Sequence, residues 1–308
     1  MERVRRIALL FLVSSAAIGA EPAAVEWRAM GTRVWLQVRG ADAEAAAPAM
    51  AAAARAALEA VEAETSAFRA TSAVARVSAA AGSGEWIAVG SAFEASLDVA
   101  LDVAEKSGGA FNPLVAPLMA ANGFDRGSGV AGSADPALLG LSRIERRPGA
   151  CRLAAPGMAL DLGGVAKGVG ADLAAAAARA AATNEVLLDV GGMLVGRGAW
   201  TVGVRDPRGA VDAPPLDILP LPDGAAIATS GRYERGGHIL DPRTGRPAEG
   251  GVLQATALAP TAAEADAWST ALFVLGPEAG RRALAGHRDV DALWILCAPS
   301  NGVRRVAR

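Results

Sequence analysis

Two distant segments of the sequence carry side chains that could bind a metal ion or a nucleotide. Asp161 and Lys167 flank a glycine pair at 163–164, where an apolar stretch gives way to an alanine-rich run. Asp266 and Thr270 lie four residues apart, which places a carboxylate and a hydroxyl on one face of a helix. Such a pair can bind a hard cation when a backbone carbonyl, here one from the glycine turn, adds a third oxygen. In isolation, the same pair is more often a surface charge beside an ordinary polar residue.

The glycine turn itself is suited to phosphate. Segment 159–172 has the composition of a strand, a tight turn and the start of a long helix. Such a turn presents backbone N–H groups and the positive end of the helix dipole, which favours phosphate groups. The turn lacks the GxxxxGK[ST] spacing of a P-loop, and Gly168 and Gly170 have no third glycine to complete a dinucleotide fingerprint. A nucleotide would therefore be held by other means, with Asp161 and Lys167 beside the turn.

Three further helices are predicted, and the last of them carries Asp266 and Thr270. One lies in the alanine-rich run 41–64 and is expected to be helical after Pro48. A second covers 91–106 and a third covers 261–275, and each begins with a capping-box pattern of Ser or Thr followed three residues later by Glu. The third is expected to end at Gly276 and Pro277.

Strand-like and turn-rich segments alternate irregularly with these helices. The segments with strand composition are 25–38 (a hairpin broken at Gly31), 185–190, 200–204 and 225–229. Residues 122–156, rich in turn formers, and 212–223, which contains four prolines, are expected to be loops. Because regular βαβ spacing is missing, an α+β fold is favoured over a doubly wound sheet.

Composition supports a large core and argues against a nucleic-acid partner. The chain has 308 residues, of which 52% are hydrophobic and 20% charged, and its formal charge is −2. We predict a single domain over residues 21–308. No basic patch or basic–aromatic interleaving is present, so nucleic acid is not expected as a ligand. No histidine and cysteine spacing typical of zinc sites occurs.

Seven segments resemble the ApbE family of FAD:protein FMN transferases and follow the family's order. They are Met-Gly-Thr at 30–32, Gly-Gly-Ala-Phe-Asn-Pro at 108–113, the glycine-turn segment at 160–172, Asp-Val-Gly-Gly at 189–192, Thr-Ser-Gly at 229–231, His-Ile-Leu-Asp-Pro-Arg-Thr-Gly at 238–245 and Asp-Ala-Trp-Ser-Thr at 266–270. Together they run over roughly residues 28–276, and the ordered set is specific.

The resemblance implies both an architecture and a ligand site. It implies a two-lobed α+β fold of T-fold-like type, with the nucleotide between the lobes. It implies that Asp266, Thr270 and the carbonyl of Gly164 bind Mg²⁺, whose remaining ligands are water and nucleotide phosphates. The residues implied to contact FAD are Met30, Gly31, Thr32, Ala110, Phe111, Asn112, Asp161, Lys167, Thr229, Ser230 and Gly231.

Two residues of the 238–245 segment are candidates for a catalytic base. His238 is one of two histidines and stands inside a family-like segment, whereas His287 has the context of a surface residue. Imidazole accepts protons near neutral pH, so His238 is expected to help deprotonate an incoming hydroxyl. Asp241 is the second candidate, and the sequence does not rank the two.

Three positions depart from the family pattern. Ser78 stands where asparagine is expected, Asn112 where aspartate is usual, and Met193 where an acidic or polar residue is common. Asparagine keeps a carbonyl acceptor and adds an N–H donor, but it carries no charge. Two nearby residues, Ser72 and Arg76, fit the pattern.

The activity implied by the resemblance is transfer of FMN from FAD to a protein. A Thr or Ser hydroxyl of an acceptor flavoprotein would attack FAD in an Mg²⁺-dependent reaction that releases AMP. Two alternatives remain open: an Mg²⁺-dependent FAD pyrophosphatase that uses water instead, and a non-catalytic FAD-binding protein that the three departures would allow. Acceptors in the family include exported or membrane-anchored electron-transfer subunits, and no residue here identifies one.

The first twenty residues have the parts of a secretory signal peptide. Arg3, Arg5 and Arg6 form a charged start, residues 7–17 form a short apolar segment, and 18–20 form a small-residue cleavage site. An uncleaved anchor is the alternative, and a twin-arginine route matches the surrounding residues poorly. We expect a protein that is soluble after cleavage, in the periplasm or another exported space.

The two cysteines bear on lipidation and on disulfide formation. Cys151 and Cys297 are the only ones, and neither stands at the cleavage position, so no lipoprotein is expected. In an oxidising compartment they could pair, but both lie in apolar, strand-like segments and could equally be separate thiols.

Overall fold

The computed structural model describes residues 22–124, 128–210, 213–232, 238–248, 250–298 and 303–308, so the predicted signal peptide at 1–20 lies outside it. The helices are α1 (Ala43–Thr65), α2 (Ala73–Ala79), α3 (Ser91–Lys106), α4 (Ala116–Ala121), α5 (Ala166–Ala181) and α6 (Ala262–Ala283), with 3₁₀ turns at Pro136–Leu139, Leu141–Arg143 and Leu284–Gly286. Within those ranges, none of the helices has the length and apolar character that a membrane span requires.

Eight strands form one antiparallel sheet. They are β1 (Ala23–Ala29), β2 (Thr32–Arg39), β6 (Glu185–Val190), β7 (Leu194–Arg197), β10 (Ala226–Gly231), β13 (Val252–Ala259), β14 (Asp291–Cys297) and β15 (Val303–Ala307), and they lie side by side in this order. Smaller sheets pair β3 (Ile87–Ala88) and β4 (Ile144–Arg147) with β5 (Ala150–Leu153), β8 (Trp200–Val204) with β9 (Asp217–Leu221), and β11 (Leu240–Asp241) with β12 (Arg246–Pro247). The predicted α+β class is what these elements form.

Three helices cover one face of the large sheet. Helix α1 packs on β1 and β2, α5 on β6 and β7, and α6 on β10, β13 and β14, while α5 also lies against both α1 and α6. The side chains of Leu36, Met50, Leu58 and Trp268 are buried between the helices and the sheet. Burial of each such side chain contributes about 1.5–3 kcal/mol. A smaller apolar cluster on the opposite face lies under the β8–β9 pair.

Close contact between α5 and α6 positions the candidate site. A Cβ atom on Gly168 of α5 would lie 2.4 Å from the carbonyl oxygen of Ala262 and 2.5 Å from the Cα of Ala263, both at the start of α6. Only glycine leaves room for the backbone of one helix to approach the other so closely. The first turns of the two helices are therefore adjacent, and the glycine turn before α5 faces the first turns of α6.

A carboxylate of α5 also caps α6. Asp172 accepts hydrogen bonds from the backbone N–H groups of Ala262 at 2.9 Å and Ala263 at 3.0 Å. Burial raises the pKa of the Asp172 carboxyl above its usual value, although these two hydrogen bonds and the charge of Arg197 act in the opposite direction. Thr261 completes the cap by accepting from the backbone N–H of Glu264 at 3.2 Å. The cap predicted at Thr261 is confirmed.

The predicted strand before the glycine turn does not form. Residues 158–162 form no regular secondary structure, and they pair with no strand among the described residues. The segment is bonded to more distant parts of the chain at two points: Leu160 N–H donates to Ser78 Oγ at 3.0 Å, and Asp161 N–H donates to the carbonyl of Pro113 at 2.8 Å. Apolar composition identified a buried segment but could not show whether another strand pairs with it.

Two helix boundaries and one helix cap differ from the predictions. Helix α1 begins before Pro48, which costs it one hydrogen bond, because proline has no N–H. Helix α3 is capped at Gly90, not Ser91, and Glu64 of α1 accepts the N–H of Phe93 at 2.9 Å. Helix α6 continues past the predicted end with a break at Gly276, where φ is 67°.

Two predicted loops contain strands, and one predicted surface histidine is partly buried. Segment 122–156 includes the β4–β5 hairpin, and segment 212–223 includes β9 with Pro220 inside it. Proline is tolerated there because, among the described residues, β9 pairs with β8 alone. His287 packs its ring 5.5 Å from the ring of Trp268. The hairpin at 25–38, the strands at 185–190 and 200–204, and helix α3 have the predicted positions.

Both cysteines are free thiols. Cys151 is buried in β5, whereas Cys297 is exposed at the end of β14. Burial raises the pKa of the Cys151 thiol to about 11, an effect that the nearby charge of Arg146 partly offsets. The pairing that the sequence left open does not occur.

Candidate active site

A cavity of about 820 Å³ lies beside the first turns of α5 and α6. Its volume falls within the range of small-molecule sites, about 300–1,000 Å³. Fifteen of the sixteen predicted site residues line it: Met30, Gly31, Thr32, Ala110, Phe111, Asn112, Asp161, Gly164, Lys167, Thr229, Ser230, Gly231, His238, Asp266 and Thr270. Asp241 is the exception. Segments separated by more than 200 residues in the sequence therefore meet at one wall, as the sequence analysis required.

An ion pair joins the glycine turn to α6. The ammonium of Lys167 lies 3.1 Å from both carboxylate oxygens of Asp266 and donates to the carbonyl of Gly163 at 3.1 Å. The N–H of Gly168 donates to the same carboxylate at 3.3 Å. The side chain of Asp266 is only 8% exposed, and that of Lys167 is 28% exposed. Asp266 is therefore held at the cavity wall by α5, and its charge is balanced by Lys167.

Three hydroxyl groups lie next to this ion pair. Ser230 Oγ is 2.8 Å from Ser269 Oγ and 3.3 Å from Thr270 Oγ1. Ser269 also donates to the backbone carbonyl of Asp266 at 2.9 Å. Strand β10 thus contacts α6 through a chain of hydroxyls, which fixes the orientation of Thr270. The sequence analysis did not select Ser269, although it stands beside Thr270 in the 266–270 segment.

Gly164 has no room for a side chain. A Cβ atom there would lie 2.9 Å from the Phe111 ring and 3.6 Å from Thr270 Oγ1. The backbone of the glycine turn thus passes directly beside the Thr270 hydroxyl. This closeness is what the predicted metal site needs, because a carbonyl of the turn must reach the same ion as Thr270 and Asp266.

The residues present fit a hard divalent cation that takes some of its oxygen ligands from a bound substrate. The donors available at this wall are oxygens: one carboxylate from Asp266, hydroxyls from Thr270 and Ser230, and the backbone at Gly164. Hard cations such as Mg²⁺ prefer such donors. Among the described residues, no group of three or more His, Cys, Asp or Glu side chains is arranged to hold a metal. A dication here would need further oxygens from a ligand, as phosphates provide.

The β1–β2 turn and α1 also contribute side chains to the cavity. Met30 has a φ of 50°, and no other non-glycine residue among those described has a positive φ. Its N–H donates to Glu62 Oε2 at 3.2 Å, and the same carboxylate pairs with Arg69 at 3.1 Å. Glu62 thereby stabilises an unfavourable backbone conformation at the cavity. Phe68, 58% exposed, also lines the cavity. Glu62, Phe68 and Arg69 are not among the predicted site residues.

Two of the departures from the family pattern have structural roles. Asn112 accepts from the N–H of Leu114 at 2.9 Å and donates to the carbonyl of Leu139 at 3.0 Å. An ionised aspartate could not make the second bond, because it has no N–H to donate. Ser78 accepts from the N–H of Leu160 in the segment before the glycine turn. Met193 is buried and lines the cavity, and nothing in the structure explains the preference for methionine there.

The two candidate bases differ in position. His238 lines the cavity, whereas Asp241 does not. The carboxylate of Asp241 accepts from the backbone N–H of Arg243 at 2.9 Å and from its guanidinium at 2.8 Å through both Nε and Nη2. These hydrogen bonds raise the pKa of the Arg243 guanidinium above its usual value. The geometry favours His238 over Asp241 as a group that can reach a ligand.

Comparisons with known proteins agree on one family. A model described as the ApbE family matches residues 30–294. An FAD:protein FMN transferase of Treponema pallidum (strain Nichols) is 38% identical over 280 residues, which cover 79% of this chain and 75% of the relative. One of Klebsiella pneumoniae (strain 342) is 31% identical over 301 residues, which cover 88% and 84%.

Solved structures give the same result. The apo form of the flavinyl transferase ApbE of Pseudomonas stutzeri has a TM-score of 0.79 at 25% identity, with 93% of this chain and 94% of that chain covered. The ApbE protein of Thermotoga maritima has a TM-score of 0.78 at 28% identity, with 92% and 97% covered. The α+β fold found here is therefore the fold of these ApbE proteins.

Proposed function

The chain belongs to the ApbE family, and we propose from this that it is an FAD:protein FMN transferase. The observation that carries the proposal is the meeting of the glycine turn and the Asp266–Thr270 pair at one cavity wall, with Lys167 3.1 Å from Asp266. Curated relatives with this activity match most of the chain. FAD would occupy the cavity, and the second substrate would be a protein that accepts the flavin.

We propose that the reaction depends on Mg²⁺ bound by Asp266, Thr270 and the carbonyl of Gly164. The oxygen donors at this wall support that ligand set, and Ser230 and Ser269 would orient the Thr270 hydroxyl. When bound, Mg²⁺ would supply positive charge that offsets the negative charge developing on the diphosphate. Asp161, Lys167 and the glycine turn would hold the FAD diphosphate on the other side.

The proposed bond changes are those of a phosphoryl-group transfer. The hydroxyl oxygen of an acceptor Thr or Ser bonds to the phosphorus on the FMN side of the diphosphate. The bond from that phosphorus to the bridging oxygen breaks, and this oxygen leaves as part of AMP. His238 would accept the hydroxyl proton, because it lies on the cavity wall while Asp241 is paired with Arg243.

The test is an incubation of the purified protein with FAD and Mg²⁺, with and without an acceptor flavoprotein domain. FMN attached to a Thr or Ser of the acceptor, with AMP released in equal amount, is the expected result. Free FMN and AMP without an acceptor would indicate a pyrophosphatase instead, and intact bound FAD would indicate a binding protein. Mass spectrometry of the acceptor and chromatography of the nucleotides separate these outcomes.

Two variants sharpen this test. Asp266→Asn is expected to abolish the Mg²⁺-dependent transfer, whereas Asp291→Asn, at an exposed aspartate away from the cavity, serves as the matched control. His238→Ala is expected to slow transfer by about 10²-fold to 10⁴-fold, the usual contribution of a general base. Transfer at the parental rate by His238→Ala would remove it from that role, and full Mg²⁺-dependent transfer by Asp266→Asn would contradict the ligand set.

We further propose that the protein acts after export on an exported or membrane-anchored electron-transfer flavoprotein. The signal-like composition of residues 1–20 supports export. Expression with these residues in a bacterial host, followed by fractionation and N-terminal sequencing, tests it. A mature protein in the periplasm that begins near residue 21 is expected, and a full-length chain in the cytoplasm would contradict the proposal.

A further inference from the structure

The ammonium of Lys167 lies in an oxygen environment that would also suit a metal ion. It is 3.1 Å from each of three oxygens, two on the Asp266 carboxylate and one on the Gly163 carbonyl. A lysine ammonium has three N–H donors, which equals the number of these acceptors. The chain's own cation therefore neutralises the carboxylate that the proposed function assigns to Mg²⁺.

Lysine suits position 167 better than arginine would. The chain contains 30 basic residues, but Lys106 and Lys167 are its only lysines. A compact ammonium can approach three converging oxygens as a small metal ion does, whereas the planar guanidinium of arginine cannot. Among the described residues, two arginines also line the cavity, Arg33 and Arg69, and they have their own carboxylate partners in Glu26 at 3.9 Å and Glu62 at 3.1 Å. Lys167 is thus the basic side chain that contacts Asp266.

The charges of Lys167 and Asp266 affect how a dication can bind beside them. With the ammonium alone, the Lys167–Asp266 pair is neutral. Addition of a dication next to it would leave excess positive charge in a site where the carboxylate is 8% exposed and is therefore weakly screened. The ammonium would have to leave the carboxylate and find another anionic partner. The negative diphosphate of FAD, held by the same turn, is such a partner.

We propose that Lys167 competes with the divalent cation for Asp266 and thereby makes binding of the metal and of FAD interdependent. The inference rests on the proposed function, because it assumes that Asp266 is a metal ligand and that a diphosphate binds beside it. In the free protein the ammonium holds the carboxylate, so the cation alone binds weakly. When the diphosphate is present, Lys167 turns toward it and Asp266 becomes available to the cation.

The main test compares Mg²⁺ binding by calorimetry in three proteins, each with and without FAD. Lys167→Met keeps an unbranched side chain but removes the charge. It is expected to bind Mg²⁺ without FAD at least about fivefold more tightly than the parent, the lower end of usual coupling between sites. The gain in Mg²⁺ affinity that FAD produces should shrink by the same factor. Lys106→Met, at an exposed lysine paired with Asp102 on α3, is the matched control and should behave as the parent does.

The outcomes separate this inference from the proposed function. If Lys167→Met binds Mg²⁺ no more tightly than the parent, or if FAD strengthens Mg²⁺ binding equally in both, Lys167 is not a competitor and the inference is wrong. In that case, loss of Mg²⁺ binding in Asp266→Asn would still support the metal site of the proposed function. If Asp266→Asn binds Mg²⁺ as the parent does, both fail.

A second measurement uses the unmodified chain. Because there are only two lysines, brief acylation followed by peptide mass spectrometry reports on Lys167 with Lys106 as an internal standard. Mg²⁺ at high concentration without FAD is expected to increase acylation of Lys167 by releasing it from Asp266. FAD together with Mg²⁺ is expected to protect it. Acylation of Lys167 that does not change with Mg²⁺ would contradict the proposal.

Discussion

At the scale of single residues, Ser269 is a buried hydroxyl that acts through its neighbours. It bonds to Ser230 at 2.8 Å and to the Asp266 carbonyl at 2.9 Å, so it touches the proposed ligand set without facing the cavity. A hydrogen bond of this kind contributes about 1 kcal/mol to stability. Ser269→Ala should therefore lower the free energy of unfolding in urea by about 1 kcal/mol and weaken Mg²⁺ binding several-fold.

A matched variant tests whether the second effect is specific. Ser96 is also buried in a helix and donates to a carbonyl of its own helix, that of Ala92, at 2.7 Å. It does not line the cavity. Ser96→Ala should show a similar loss of stability with unchanged Mg²⁺ affinity. Equal Mg²⁺ affinity in both variants would mean that Ser269 has only a structural role.

The two thiols should differ in reactivity because burial affects only one of them. The pKa of Cys151 is raised to about 11, and the reactive thiolate is therefore scarce at pH 8. Cys297 is exposed. Alkylation at pH 8 should modify Cys297 alone in the folded protein and both thiols after unfolding, as measured by peptide mass spectrometry. Rapid modification of Cys151 before unfolding would contradict the burial seen here.

At the scale of elements, the site depends on the separation of α5 and α6. Gly168→Ala would place a methyl group 2.4 Å from the backbone of Ala262. Alanine favours a helix by up to about 1 kcal/mol over glycine, but overpacking costs about 1–3 kcal/mol, and here the neighbour is backbone, which cannot rotate away. We expect a net loss of stability in urea and a larger loss of transfer activity.

Gly286→Ala is the control for this variant. Gly286 lies in a 3₁₀ turn, and a Cβ atom there would meet no atom within 4 Å. It should leave both stability and activity close to those of the parent. If Gly168→Ala behaves in the same way, the close packing of the two helices does not determine the site.

The contribution of Asp172, which links α5 to the start of α6, to the free energy of unfolding should depend on pH. Since burial raises the pKa of Asp172, the folded state binds its proton more tightly than the unfolded state. The stability that the folded state gains by binding this proton is fully present below the ordinary pKa of aspartate, and it is lost as pH rises through the raised pKa. The unfolding free energy of the parent relative to Asp172→Asn should therefore increase as pH is lowered from 7 through that window. Urea unfolding at a series of pH values measures it, and a difference that does not vary with pH would contradict the shift.

Periodicity and capping patterns could predict α3, α5 and the start of α6, because those signals are local. They could not distinguish the apolar segment at 158–162 from a strand, since this depends on whether another strand pairs with it. They also placed a loop at β9, because Pro220 is tolerated only at an edge and edges are not visible in a sequence. The partners of Met30, such as Glu62, come from the packing of α1 and were equally out of reach.

At the scale of the whole molecule, the cavity draws on elements from both ends of the chain. Its wall includes the β1–β2 turn, the segment before α5, strand β10 and helix α6. The family resemblance could assemble these residues into one site, since the ordered motifs report tertiary neighbours that local patterns cannot. The exception, Asp241, lies in a matching motif but is paired with Arg243 just outside the cavity. A motif thus identifies the segment, and only the fold shows which of its side chains faces a ligand.

A ligand held by so many elements should stabilise the whole fold. FAD at about 100 times its dissociation constant should add about 2.7 kcal/mol to the unfolding free energy. Each kcal/mol raises the melting temperature of a chain of this size by about 2–4 °C, so a clear shift is expected in a thermal melt. Part of the shift should require Mg²⁺ and should be absent from Asp266→Asn, because only the parent can join α6 to the ligand through the cation. If FAD shifts the melting temperature equally in the parent and in Asp266→Asn, with and without Mg²⁺, then FAD binds without a cation-mediated contact to α6.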